Sequence, residues 1–327
     1  MNMLYPYKFK PILMSTLWGG DKIIPFKRLT NTSQARIGES WDISNVQGNE
    51  SVVINGKDAG KNLRQLVRKY KGKLMGESNY ERFGNNFPIL VKFIDACKDL
   101  SIQVHPNDEL ASERHGTMGK TEMWYVIDNN EGKAHLRLGL NKQITPEEYE
   151  ALIANDGICD VLDEYAVQPG DVFFLPPGSI HSIGAGCFLA EIQQTSTITY
   201  RIYDFNRKDK DGNPRELHTE LSKAAIDFQV KDNYKTSYIP KQNEPVELVS
   251  CPNFTTSVYD LTENMLLDYS ELDSFVILVC TKGHCILKDN DGNETEMHEG
   301  ESILFPATTQ EVQVCTDQQV TFLETFI

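Results

Sequence analysis

The chain has 327 residues, 40% of them hydrophobic and 24% charged, with a formal net charge of −15. These are globular values with length for one large domain or two, and no apolar run approaches the ~18 residues a membrane helix needs. The negative charge argues against nucleic acid and anionic membranes as partners. A small anionic substrate would need its own cluster of Lys and Arg.

Met1 to Lys10 shows no apolar core of a secretory leader, so a cytoplasmic protein is expected. The seven cysteines (Cys97, Cys159, Cys187, Cys251, Cys280, Cys285 and Cys315) form no C-x2-C clip. They are expected to be reduced and mostly buried.

In chain order, Gly60 to Tyr70 spaces Leu63, Leu66 and Val67 as a helix does. Phe87 to Ile94, Ser101 to His105 and Met123 to Ile127 are rich in β-branched and aromatic residues and predict strands. Asp128 to Gly132 predicts a hairpin connection. Thr145-Pro146-Glu147-Glu148 combines an N-cap, a first-position proline and a third-position Glu, and opens a helix to about Ala154. Strands follow at Asp171 to Leu175 and Thr197 to Tyr203, then a helix over Glu220 to Ala225. Lys231 to Glu247, polar and holding Pro240 and Pro245, reads as a linker. Beyond it, Phe275 to Cys280 and Val320 to Phe326 are strands, with a hairpin turn at Asp289 to Asn293. That turn and Asp209 to Gly212 contain D-x-D-G, but neither has the spacing of a calcium loop, so both are read as turns.

Gly170-Asp-Val-Phe-Phe-Leu-Pro176-Pro-Gly178-Ser-Ile-His181 is the most informative stretch. A strand stops at a Pro/Gly corner, because Pro cannot donate to a ladder and Gly accepts unusual backbone angles. A histidine stands just beyond it. Gly300 to Pro306 repeats the G-x5-P pattern, with Thr308 in place of the corner Gly and Glu311 in place of the His. The chain therefore reads as mainly β, two related barrels with a small helical insertion. Residues 1–235 are expected to carry the site, and residues 236–327 to form a degenerate copy without it.

In Ser101-Ile-Gln103-Val-His105, alternation puts Ser101, Gln103 and His105 on one face. Lys120 and Glu122 share a face leading into the next strand. Gln103, His105, Glu122 and His181 make a plausible four-ligand set for a divalent ion, and zinc accepts N and O donors. Taken singly, each residue also fits a solvated strand end. Arg201, within Thr199-Tyr-Arg-Ile-Tyr203-Asp204, is either a rim residue or a cation reaching into a cavity to grip an oxyanion or phosphate.

Together S-I-Q-V-H-P, K-x-E-M-W-Y, P-P-G-x-x-H and T-Y-R-x-Y-D resemble the type I phosphomannose isomerases in their short bacterial form. Leu17-Trp-Gly-Gly20 and Gly38-Glu-Ser-Trp-Asp-Ile43 add to the resemblance. It implies a cupin-type jelly-roll fold and zinc-dependent exchange of mannose 6-phosphate and fructose 6-phosphate through an enediol. It implies zinc ligands at Gln103, His105, Glu122 and His181, a catalytic role for Arg201 and Lys120, and substrate contacts from Ser101, Lys120 and Arg201. The partner implied is a small phosphorylated sugar. The alternatives are a non-catalytic sugar-binding cupin regulator, which would not need Arg201 and Lys120, and an iron dioxygenase, which usually carries an H-x-H pair where this chain has Gln103-Val-His105.

Overall fold

The computed structural model describes residues 4–30, 35–208 and 211–327, so Asp209 of the first D-x-D-G turn lies outside the described residues. Four sheets stack face to face through three apolar layers, and a further helical layer covers one outer face.

The outermost sheet of the first module has five strands, in the order Leu162–Ala166, His135–Leu140, His181–Ile183, Ile102–Val104 and Tyr200–Tyr203. One face carries Ile102, Val104, Tyr200 and Ile202, which pack under the helices Pro146–Ala154 and Thr219–Ala225. The other face meets a six-stranded sheet ordered Val172–Leu175, Glu122–Asp128, Phe188–Gln194, Ile89–Asp95, Ile37–Ile43 and Ile12–Gly20. Between them lie Trp124, Leu136, Leu138, Phe173 and Ile183.

The far side of the six-stranded sheet (Ile89, Val91, Phe93, Met123, Ile192) packs on Ile277, Val279, Leu304 and Leu323 of a seven-stranded sheet. That sheet runs Val246–Cys251, Phe254–Leu261, Val320–Phe326, Val276–Lys282, Ser302–Phe305, Tyr7–Lys10 and Val52–Val53. Its other face covers a four-stranded sheet of Met265–Asp268, Glu311–Cys315, His284–Asp289 and Glu294–His298. Each module is thus a jelly roll of two facing sheets, and among the described residues neither pair closes into a continuously bonded cylinder.

Strand order bears out the internal repeat. The run 172–175, 122–128, 188–194, 89–95 in the first module is matched by 302–305, 276–282, 320–326, 254–261 in the second. Register then shows what became of the site residues. Leu175 lies opposite Glu122, and in the copy Phe305 lies opposite Val276. His181 lies opposite Gln103, and in the copy Glu311 lies opposite Asp268. Val276, Glu311 and Asp268 therefore occupy the places of Glu122, His181 and Gln103.

Pairing also crosses between the two parts of the chain. Tyr7 and Lys8 lie opposite Leu304 and Ile303, so the N-terminal strand belongs to the sheet of the C-terminal module. A buried ion pair, Lys27 Nζ to Asp42 Oδ2 at 2.7 Å, takes a third partner from that module in Ser302 Oγ, 3.1 Å from Asp42.

The helix at Leu63–Tyr70 starts behind an Asn62/Gln65 capping box, and Pro146–Ala154 behind the expected Thr145/Glu148 box. The helices Gly72–Met75, Glu77–Phe83 and Asp108–His115 are additional to those the sequence pattern predicts. Asp289 to Asn293 joins two directly paired strands. Asp128 to Gly132 does not: it carries the chain from the six-stranded sheet to the five-stranded one. All seven cysteines are unpaired; three are buried, three half-buried, and Cys97 is exposed. No helix among the described residues is long and apolar enough to cross a membrane.

Candidate metal centre

The two sheets of the first module bring the proposed ligands together from opposite sides. Across the five-stranded sheet, His181, Gln103 and Arg201 are direct cross-strand neighbours, so they share a face. That face is the inner one, because Ile102, Val104, Tyr200 and Ile202 occupy the outer. Glu122 comes from the facing sheet, as the first residue of its strand.

One ligand atom each from His105, Glu122 and His181 lies within 4.8 Å of the others, and all three residues are buried. His181 Nε2 is 3.4 Å from Glu122 Oε1, and His105 Nε2 is 3.7 Å from Oε2. Each ring uses Nδ1 on a backbone carbonyl, His105 on Ile198 O and His181 on Ser179 O, both at 2.9 Å. Nδ1 therefore carries the proton, and the Nε2 lone pairs turn inward, the tautomer a metal-binding histidine needs. Burial pushes His181 down to about 4 and His105 well below its ordinary value, with the Lys120 charge acting in the same direction. Both rings are neutral at physiological pH.

The Pro/Gly corner has a clear physical job. Gly178 sits at φ +87°, and a Cβ there would lie 2.9 Å from Ala225 O. Its N–H donates to His105 O at 2.9 Å. The corner that delivers His181 is thus bonded to the end of the strand that delivers His105.

Neither buried Glu122 oxygen accepts an aligned hydrogen bond among the described residues. Lys120 Nζ approaches Oε2 to 2.7 Å as an ion pair and lies 3.1 Å from His105 Nε2. Burial, then the nearby Glu191 charge, raises the Glu122 carboxyl, and Lys120 partly offsets this. A divalent cation fits this group: it would satisfy an under-bonded carboxylate and accept two imidazole lone pairs in a sulfur-free donor set. Gln103 Nε2 stands 3.1 Å from His181 Nε2. Turning that amide by 180° presents its oxygen to the same point, an assignment set by hydrogen-bond partners.

Sequence reasoning missed the network beneath the cluster. Lys92 pairs with Glu191 at 3.0 Å and Glu39 at 3.5 Å, and Trp124 Nε1 donates to Glu191 Oε2 at 2.9 Å. Burial opposes both charges, but Lys92 and Lys120 hold Glu191 down to about 2, and Glu191 holds Lys92 above its ordinary range. A lone lysine within the apolar run Phe87 to Ile94 was the available signal.

Arg201 is half-buried. Its Nη1 donates to Glu216 O at 3.0 Å, and its backbone N–H to His218 Nδ1 at 2.9 Å. His218 therefore props the strand that carries Arg201. Burial, then the charges of Arg215 and Arg207, lower the Arg201 guanidinium. Those two arginines grip Asp204, Arg215 through Nε at 2.6 Å and through Nη2, and Arg207 through Nη2. Three guanidiniums around one carboxylate make the local cationic patch that an acidic chain needs for an anion. Ser101 is buried but makes no hydrogen bond to the His–Glu–His group among the described residues.

Residues 7–142 match the family described as phosphomannose isomerase type I, catalytic domain, and residues 245–322 match the mannose-6-phosphate isomerase cupin domain. Mannose-6-phosphate isomerase ManA of Bacillus subtilis is 37% identical over 264 residues, covering 79% of this chain and 80% of its own. Mannose-6-phosphate isomerase of Streptococcus mutans is 31% identical over 323 residues, covering 97% and 98%. The solved structure of mannose 6-phosphate isomerase from Bacillus subtilis superposes with a TM-score of 0.87 at 28% identity, covering 98% of this chain and 99% of that one. Fold, centre and relatives agree: the chain belongs to the type I phosphomannose isomerase family.

Proposed function

We propose that the chain interconverts mannose 6-phosphate and fructose 6-phosphate at a zinc ion held by Gln103, His105, Glu122 and His181, by way of an enediol. The observation that carries this reading is the buried His105–Glu122–His181 group with both Nε2 atoms turned inward, in a member of this family.

Zinc, when bound, would act as a Lewis acid on the substrate carbonyl. The chain's own residues do the rest. Arg201 shares a sheet face with Gln103 and stabilises negative charge on the reacting oxygen by charge-assisted hydrogen bonds. Lys120, buried against Glu122 and His105, holds a substrate oxygen, and Ser101 lies one step along the same strand face. The surplus positive charge of Arg201, Arg207 and Arg215 over Asp204 attracts the phosphate. The buried rings and paired carboxylates keep the pocket's charges fixed before substrate arrives. We also take residues 236–327 as a module without a metal site of its own, since its register puts Val276 where Glu122 would stand and, among the described residues, the metal-ligating group is His105–Glu122–His181.

The test is a coupled assay for fructose 6-phosphate from mannose 6-phosphate, run on chelated and zinc-restored protein with a panel of other phosphorylated and free sugars. Zinc-dependent turnover of mannose 6-phosphate supports the reading. Zinc binding with no turnover of any sugar would instead favour a sugar-binding regulator.

A further inference from the structure

Among the described residues the second module holds no group of metal-ligating side chains, yet it reaches the residues that carry two members of the centre. Thr121 sits between Lys120 and Glu122. Its hydroxyl lies on the opposite side of the chain from their side chains, and it accepts a hydrogen bond from Asn253 Nδ2 at 3.0 Å. Asn253 belongs to the turn between Val246–Cys251 and Phe254–Leu261, both strands of the seven-stranded sheet.

That turn is held in place. Arg82 Nη1 donates to Pro252 O at 2.9 Å, and Nη2 reaches Asn253 Oδ1 at 3.5 Å, which leaves the Nδ2 end of the amide for Thr121. The helix bearing Arg82, Glu77–Phe83, is itself tied to the second module. The Asp273 carboxylate accepts from Glu77 N at 2.7 Å and Ser78 N at 2.9 Å, and Asn79 donates to Ser274 Oγ at 3.1 Å. Helix and turn thus form one support.

The remaining restraints on this segment come from the first module. Gln194 Oε1 accepts from Thr121 N at 2.8 Å, and Gln194 N donates to Thr121 O at 3.1 Å. Asp108 Oδ1 accepts from Gly119 N at 2.8 Å and Gln194 Nε2 at 3.0 Å. Lys120 N donates to Pro106 O at 3.1 Å. These bonds fix the backbone, while the Asn253 bond is the side-chain restraint from outside.

We infer that Asn253 is a positioning residue for the centre: through Thr121 it sets where Lys120 and Glu122 stand, so that the second module tunes a site it does not contain. This rests on the metal-centre reading above. Asn253 bonds the residue before Glu122 rather than a ligand itself, so the loss of one neutral hydrogen bond sets the scale, about fivefold.

The experiment compares full-length Asn253→Ala, Thr121→Val, Thr121→Ser and the Asn253→Ala/Thr121→Val pair. Zinc affinity is read by chelator competition, kcat and KM with mannose 6-phosphate, and melting temperature on metal-free protein. Asn253→Ala and Thr121→Val should each weaken zinc binding or kcat about fivefold with KM little changed. The pair should be no worse than either alone, and Thr121→Ser, which keeps the hydroxyl, should match the wild type. Wild-type zinc affinity and kcat in folded Asn253→Ala would overturn the inference, as would fully additive effects of the two substitutions. If Asn253→Ala does not fold, the Thr121→Val and Thr121→Ser comparison decides from the other end of the bond. A wild-type protein that neither binds zinc nor isomerises the sugar would sink the metal-centre reading itself, a result distinct from equal wild-type and variant behaviour.

Discussion

Lys92→Met asks whether the interior network under the centre is electrostatically closed. Lys92 and Glu191 are 7% and 3% exposed and 3.0 Å apart. With the lysine gone, Glu191 keeps the Trp124 N–H but loses its nearest countercharge. Breaking a buried pair from one side costs about 3–5 kcal/mol, since the orphaned charge stays desolvated. Unfolding entropy near 2.1 cal/mol/K per residue gives 327 residues about 0.7 kcal/mol/K, so the melting temperature should fall by about 4 to 7 °C. Lys92→Met combined with Glu191→Gln should recover most of that loss, because the amide is neutral and its oxygen still accepts from Trp124. Thermal scans of metal-free protein at pH 7, followed by circular dichroism, measure both. A single variant that melts within 1 °C of wild type, or a double variant no better than the single, would refute the reasoning.

Two further outcomes separate roles within the site and outside it. His181→Ala should lose zinc and turnover together, whereas Arg201→Ala should keep zinc at the wild-type ratio and lose turnover; Arg201→Ala with normal kcat would remove Arg201 from the chemistry. Asp95 is buried at a strand end, and burial raises its carboxyl to about 6, partly offset by the Lys22 N–H at 2.7 Å. Between its ordinary value and about 6 the folded chain holds a proton that the unfolded chain has lost. The associated stabilisation is therefore complete at low pH and disappears as pH rises through 6. Asp95→Asn should gain on wild type with rising pH, by up to about 3 kcal/mol between pH 4 and 7.5, an upper bound for a shift of about two units. Urea unfolding at the two pH values measures this, and a pH-independent difference would contradict it.

The centre was legible in sequence because its parts are tied to backbone chemistry. A Pro/Gly corner can only end a strand, and strand alternation puts Gln103 and His105 on one face. Register supplied the rest: His181 opposite Gln103 is a pairing between residues far apart in the chain, which the motif alone cannot give. The pairing in the Lys92–Glu191–Glu39 network was illegible for the same reason: its members sit on three strands, and a lone Lys92 in an apolar run does not say which carboxylates it meets. The exchange of Tyr7–Lys10 into the second module's sheet left no local mark, because a short edge strand fits either sheet. Glu77–Phe83 is short for a helix that stands alone, and its N-terminal donors are met by Asp273 from the other module. In contrast, Asp108–His115 opens with an Asn107 cap and two acidic residues in its first turn, a helix-start signal that is present in the sequence.

The decisive measurement is an anomalous difference map, collected at the zinc edge, from crystals of the protein grown with zinc. The account predicts a single strong peak inside the first module, about 2.0–2.2 Å from Nε2 of His105, Nε2 of His181 and an oxygen of Glu122. The Gln103 amide oxygen should be turned toward it. A peak held by other side chains, or none while those three residues keep their places, would contradict it.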